Sequence, residues 1–204
     1  MLFNDTYKTI AAPAEGIFRD RGSKFIAYAF PVRSEEEARG KINEVRAMHA
    51  KARHFCTALR LSPDRSVFRI NDDGEPSGTG GRPILNALLS ADVTNVLIVV
   101  VRYFGGTLLG VPGLINAYRT AAVEALATAT IQERTVNDVY RLAFGYLEMN
   151  IVMRLVKDEN IKVLAQDFDN NCTMDVEVRQ TATNRLLDKV QKIDGLRAEY
   201  MYSY

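Results

Sequence analysis

Asn95-Val-Leu-Ile-Val-Val-Val-Arg-Tyr-Phe-Gly-Gly-Thr-Leu-Leu-Gly-Val-Pro-Gly113 joins the longest apolar run of the chain to one of its two glycine clusters. The run Val96–Val101 has no polar residue. It reads as a strand covered on both faces, because a strand with one wet face would alternate apolar and polar side chains. A second glycine cluster, Gly74-Glu-Pro-Ser-Gly-Thr-Gly-Gly-Arg-Pro83, lies upstream, and residues 74–113 hold eight of the thirteen glycines. Glycine loses the most backbone freedom on folding, so dense clusters mark backbone that turns sharply or approaches something closely. Polar and charged residues accompany them: Asp72, Asp73, Glu75, Ser77, Thr79, Arg82 and Arg102. This is the candidate functional region.

Upstream of it, Gly16–Phe30 reads as two strands around an Arg21-Gly-Ser23 turn. Ser34 followed by Glu35, Glu36 and Glu37 is a helix start, a cap and then acids at the positive end of the dipole. That helix is expected to run to about Ala50. Phe55–Leu61 and Ser66–Ile70 read as strands turned by Pro63-Asp64. Pro83 suits the first turn of a helix with Ile84, Leu85, Leu88 and Leu89 on its apolar face. A third helix spans Leu114 to about Ala129, with Leu114, Tyr118, Ala122, Ala125 and Ala129 on one side.

Downstream, Tyr140, Leu142, Phe144 and Tyr146 fall at every second position, as do Met174, Val176 and Val178 against Asp175, Glu177 and Arg179. Asp169-Asn-Asn171 is a hairpin turn signal. Ile151 and Leu155, then Leu186, Val190 and Ile193, mark two amphipathic helices, and Leu196–Tyr204 a last strand. The order β-α-β-β-α-β is the ferredoxin-like plan. The chain is therefore expected to be α+β, with one domain over 1–137 and a ferredoxin-like domain over 138–204. The polar boundary Gln132–Asp138 lacks Pro and Gly, which argues for packed domains rather than a long flexible linker.

Composition narrows the function classes. The 204 residues carry a net charge of +1, with 47 % apolar and 25 % charged content, so no global basic footprint is present. Cys56 and Cys172 are the only cysteines and form no C-x-x-C pair, which argues against a cysteine zinc site and for two buried thiols. The N-terminus lacks the basic and apolar regions of a signal peptide, and no run is long enough to span a bilayer. A cytoplasmic protein without membrane association is expected.

Neither common phosphate fingerprint is complete. Gly105 and Gly110 have P-loop spacing, but Val111 stands where the lysine must be. Gly78-Thr-Gly80 begins a dinucleotide fingerprint, but Pro83 replaces its third glycine. The N–H groups of Gly78, Gly80 and Gly81 at a helix start suit either an anion or a tight loop. Asp72, Asp73 and Glu75 suit Mg²⁺ or general-base chemistry, although a solvated acidic turn, or carboxylates accepting from the glycine-rich backbone, fits the pattern better. His49 and His54 are misplaced for a helical metal pair. His54 and Cys56 share a strand face, but the pattern favours a buried thiol over a catalytic dyad. No cofactor, metal set or catalytic residue is expected.

Three cation–aromatic sets stand out: Lys24-Phe25, Arg53-His54-Phe55 and Arg102-Tyr103-Phe104. Such sets suit phosphate contact and base stacking. Phe55 and Phe104 read as core residues, with the cations at the rim.

Ala52-Arg-His-Phe-Cys56, Asn71-Asp-Asp-Gly-Glu-Pro-Ser-Gly-Thr79, Gly81-Arg-Pro-Ile-Leu85, Val99-Val-Val-Arg-Tyr-Phe-Gly-Gly106, Leu109-Gly110 and Gly113-Leu114 closely resemble the motifs of the IMPACT/YigZ family. The tail resembles the small second domain of its bacterial branch. The resemblance implies a first domain like the second domain of ribosomal protein S-five and a ferredoxin-like domain similar to the C-terminal part of elongation factor G. It also implies regulation of translation, with RNA or a ribosomal surface as partner and no established catalysis.

The leading expectation is an RNA- or ribosome-binding protein in which Lys24, Arg53, Arg82 and Arg102 meet phosphates. His54 and Tyr103 lie beside them. An enzyme on a small phosphorylated ligand is the alternative, with Asp72–Thr79 holding a metal or polar group and Gly78–Arg82 the anion. A protein-interaction module is the third, using Tyr200, Tyr202 or Tyr204.

Overall fold

A computed structural model describes Asp5–Asp169 and Asn171–Tyr204. The described residues form two compact units, one over Tyr7–Arg134 and one in which Thr135–Tyr204 is joined by Asp5 and Thr6. The first contains β1 (Thr6–Ile10), β2 (Ala14–Asp20), β3 (Ser23–Pro31), α1 (Glu35–Met48), β4 (His54–Leu61), β5 (Val67–Asn71), α2 (Gly81–Ser90), β6 (Val96–Tyr103), α3 (Gly110–Thr128) and β7 (Ile131–Thr135). Five strands form one sheet in the order β2-β3-β6-β4-β5, with every neighbour antiparallel.

The central strand is β6, covered on both faces as its sequence requires. Val96, Ile98 and Val100 join the core under α2 and α3, while Leu97, Val99 and Val101 join the core under α1. Period-two alternation thus feeds two separate apolar layers from one strand. Ser34 caps α1, its hydroxyl accepting from Glu37 N at 3.1 Å. The reading of α2 needs one change: Leu89 is exposed and Ala87 takes its place in the core. The polar stretch Gln132–Asp138 holds most of β7, which pairs with β1, and the start of the next strand, and the two units divide within it. Sequence pattern misses β1 and β7 because strands this short show little alternation.

The second unit runs β8 (Asn137–Phe144), α4 (Met149–Asp158), β9 (Lys162–Asp167), β10 (Cys172–Arg179), α5 (Thr183–Val190) and β11 (Arg197–Ser203). The antiparallel sheet has the order β11-β8-β10-β9, so the ferredoxin-like plan is realised. Leu142, Phe144, Met174, Val176 and Val178 meet Val152, Leu155, Leu186 and Val190 in its core. Ile151 and Tyr146, expected inside, are exposed. The centre of the expected Asp169–Asn171 turn, Asn170, lies outside the described residues. No helix among the described residues is long and apolar enough to cross a membrane.

In the first unit α3 presents Ala121, Ala122 and Ala125 to the sheet, which lets it approach β2 closely. A Cβ on Gly16 would stand 2.2 Å from Ala125 N and 2.6 Å from Glu124 C, both backbone atoms that cannot yield. Gly16→Ala is therefore expected to lose about 1–3 kcal/mol through overpacking. Gly40→Ala, on an exposed face of α1 with nothing within 4 Å, should gain up to about 1 kcal/mol from helix propensity. Urea midpoints of the two variants, moving in opposite directions, check both.

Candidate functional site

Asp72 is the anchor of the first glycine loop. Its Oδ1 accepts from Gly80 N at 2.9 Å and Gly81 N at 2.8 Å, and its Oδ2 from Gly78 N at 2.8 Å. These are the N–H groups that suited an external anion, so the cradle holds a carboxylate of the protein itself. The start of α2 has no capping side chain and no acid in its first turn. Asp72 supplies the missing negative charge from outside the helix. Burial pushes its carboxyl up, but the three backbone donors together outweigh that and hold it below the ordinary carboxylate range.

The neighbouring residues are also committed. Asp73 sits in the left-handed region at φ 44°. Its Oδ2 accepts from Phe55 N at 2.7 Å, and its Oδ1 pairs with Arg46 Nη2 at 2.6 Å. Its carbonyl accepts from His54 Nδ1 at 3.0 Å, which fixes the proton of that imidazole on Nδ1. Thr79 is buried, its hydroxyl donating to the Pro76 carbonyl at 2.7 Å. Cys56 Sγ donates to the Asp72 carbonyl at 3.0 Å, directly beneath Gly80, where a Cβ would come within 2.4 Å of the sulfur. Burial pushes the thiol up to about 12. That suits a structural thiol and removes the Cys56–His54 dyad from consideration.

Glu75 is buried and its Oε1 accepts from Arg102 Nη1 at 2.6 Å and from Tyr118 Oη at 2.7 Å. The Arg102 and Glu75 side chains are only 7 % and 4 % exposed. Arg102 is therefore not the free cation that its place beside Gly105-Gly106 suggested. Its charge is spent inside the unit, and its Cζ lies 5.6 Å from the ring centres of both Phe25 and Phe104.

Beside this network opens a cleft of about 480 Å³ lined by Lys51, Arg53, His54, Arg102, Tyr103, Phe104 and Leu108. It lies where the α1–β4 loop meets the end of β6, because His54 and Arg102 are direct partners across the β4–β6 pair. Lys24 adjoins it, opposite Tyr103 on β3. Tyr103 is braced by His49, whose Nδ1 lies 2.9 Å from its hydroxyl while Nε2 lies 2.7 Å from Tyr28 Oη. Burial, then the charge of Lys24, pushes His49 down, which favours its neutral imidazole.

Four of the expected residues thus line one cleft: Arg53, His54, Arg102 and Tyr103. Lys24 borders it. Asp72, Asp73, Glu75 and Thr79 belong to the loop beside it, while Ser77 on that loop and Arg82 in the first turn of α2 are exposed and absent from the lining. Lys51 escapes sequence reasoning because an isolated lysine carries no pattern. Phe104, expected in the core, is 56 % exposed. Tyr118 reads in the sequence only as part of an apolar stripe, although a buried phenol needs a polar partner. Among the described residues, no three His, Cys, Asp or Glu side chains are placed to hold a metal ion.

The family profile of the Impact N-terminal domain matches residues 21–126, which include both loops and every residue lining the cleft. The IMPACT family member YigZ of Escherichia coli K12 is 36 % identical over 160 residues, 78 % of each chain. The chain belongs to the IMPACT family. A further IMPACT family member, from Haemophilus influenzae, is 34 % identical over 151 residues, 73 % of each chain. The crystal structure of a hypothetical protein, 29 % identical, superposes with a TM-score of 0.76 over 98 % of this chain and 99 % of its own. That likeness extends the match through the ferredoxin-like unit, beyond the span of the IMPACT domain.

Because the folded carboxyl of Asp72 is held low, its contribution to stability is complete above the ordinary carboxylate pKa near 4 and is lost as pH falls through the lower folded value. Asp72→Ala is expected to cost on the order of 3 kcal/mol at pH 7, since several N–H groups lose their acceptor. It should also flatten the loss of stability below about pH 4. Asp5 of the second unit, held low by Arg179, keeps its own acid dependence in both proteins. Urea midpoints at pH 7 and pH 3 for wild type and variant check the prediction.

Proposed function

We propose that the protein is a non-catalytic RNA- or ribosome-associated binding protein that acts on translation. The observation that carries this reading is the cleft at the end of β6. Its lining sets Lys51 and Arg53 beside Tyr103 and the exposed Phe104 and contains no carboxylate, while Arg102, also in the lining, is neutralised by Glu75. Cations beside exposed aromatic groups suit phosphate contact and base stacking. Asp73 and Glu75, which flank the lining, are already paired with Arg46 and Arg102. Membership of the IMPACT family supports the link to translation.

The reading as an enzyme on a phosphorylated ligand has less support. The N–H groups it requires of Gly78, Gly80 and Gly81 are taken by Asp72. A protein partner is a second reading, favoured by Tyr200 and Tyr202, both about half exposed on the edge strand β11. Capture of a specific protein that persists after nuclease treatment and is lost on replacing both tyrosines with serine would favour it.

Co-sedimentation with ribosomes and with bulk RNA at low and moderate salt tests the leading reading. Binding should weaken steeply with salt, and Lys51→Ala with Arg53→Ala should reduce the logarithmic salt slope by roughly one for each phosphate that is no longer neutralised. Salt-insensitive binding, or none, sinks the reading. Arg102→Ala is expected to act differently, destabilising the fold by about 3–5 kcal/mol by stranding a buried Glu75 charge. A large fall in melting temperature checks this.

A further inference from the structure

We propose that the cleft takes single-stranded RNA, with one unpaired base stacked on Phe104 and the flanking phosphates on Lys51 and Arg53. This rests on the RNA reading above and narrows it to a strand state and a mode of binding.

Three observations carry it. The first is an aromatic ring held out of the core on a fixed backbone. Phe104 is 56 % and Leu108 81 % exposed, forfeiting the burial that such side chains normally gain. Yet the backbone beside Phe104 is closely packed. Gly105 lies so near Gly22 that a Cβ would stand 1.9 Å from Gly22 C and 2.2 Å from Ser23 N, and Gly105 N donates to Ser23 Oγ at 3.1 Å. A ring presented on fixed backbone is a preorganised platform, so little ordering is needed on binding.

The second observation is the backing of that ring. The Arg102 guanidinium, fixed by Glu75, approaches its centre to 5.6 Å.

The third is size and charge. About 480 Å³ accommodates a group the size of one nucleotide. In an A-form duplex the base faces are stacked together and the deep major groove hides their edges, so Phe104 would have no face to meet. A single strand offers both the base and flexible phosphates for the neighbouring cations.

The protein contains no tryptophan, so Phe104→Trp introduces one indole at the site that can be excited selectively over the nine tyrosines. We would titrate wild type, Phe104→Ala, Phe104→Trp and Lys51→Ala with a fluorescein-labelled single-stranded RNA 12-mer and with its duplex. Single-strand binding should fall roughly 5- to 150-fold in Phe104→Ala with the salt slope unchanged. Phe104→Trp should retain affinity, and its emission should quench on the single strand. Lys51→Ala should instead lower the salt slope by roughly 0.7. A preference for duplex, or full single-strand affinity in Phe104→Ala, would overturn the stacking inference while leaving RNA binding in place. Absence of binding by wild type to either RNA would remove the RNA reading itself. Should Phe104→Ala misfold, the tryptophan emission decides: an unchanged signal at saturating RNA overturns the inference.

Discussion

Glu75 joins three parts of the first unit through one oxygen. Its Oε1 receives the Arg102 guanidinium from the central strand and the Tyr118 hydroxyl from α3, while its own backbone belongs to the first glycine loop. Buried charges are tolerated only when paired and hydrogen-bonded, because desolvation otherwise outweighs the attraction gained. Loop, strand and helix must therefore reach their places together for this carboxylate to be satisfied. The Phe25 ring closes the arrangement, meeting Tyr118 edge-on at 5.1 Å and lying near Arg102. The end of β6, and with it the cleft, inherits its geometry from that shared acceptor.

The glycine clusters follow from the same need for close backbone approach. Asp72 gathers Gly78, Gly80 and Gly81: a Cβ on Gly80 would strike the Cys56 sulfur and one on Gly81 the Asn71 backbone, while Gly78 takes a φ of 78° that favours glycine. Gly105 allows the second loop to lie against the β2–β3 turn, where Arg21 and Gly22 adopt φ of 44° and 79°. One loop closes around an internal anion, and the other holds an aromatic ring toward solvent. Similar composition thus serves two different ends, decided by whether an acid stands at the right distance upstream.

Much of the fold was legible because its elements obey simple periods. The unbroken apolar run of β6 required two covered faces, and the alternation in β8 and β10 set the inward residues of the ferredoxin-like sheet. The site was legible only in part. Residue type and proximity to glycine marked Arg102 and Glu75, but sequence cannot show that the two residues would neutralise one another across 27 positions. Phe104 failed for the opposite reason. A phenylalanine after a buried strand is expected inside, and only the packing of Gly105 on Gly22 keeps it out. Lys51 and Leu108 reach the cleft through loop geometry, which leaves no periodic trace.

Each compact unit carries one buried thiol, Cys56 in the first and Cys172 in the second. Cys56 sits under the Asp72 loop with its thiol pushed up to about 12, so its reactive thiolate is scarce in the folded state. Both sulfurs become alkylatable chiefly when their own surroundings open. The rates at which the two thiols take up a maleimide are thus separate clocks for local opening, one for the glycine-loop core and one for the ferredoxin-like core. The chain reports the breathing of its two halves without any added label site.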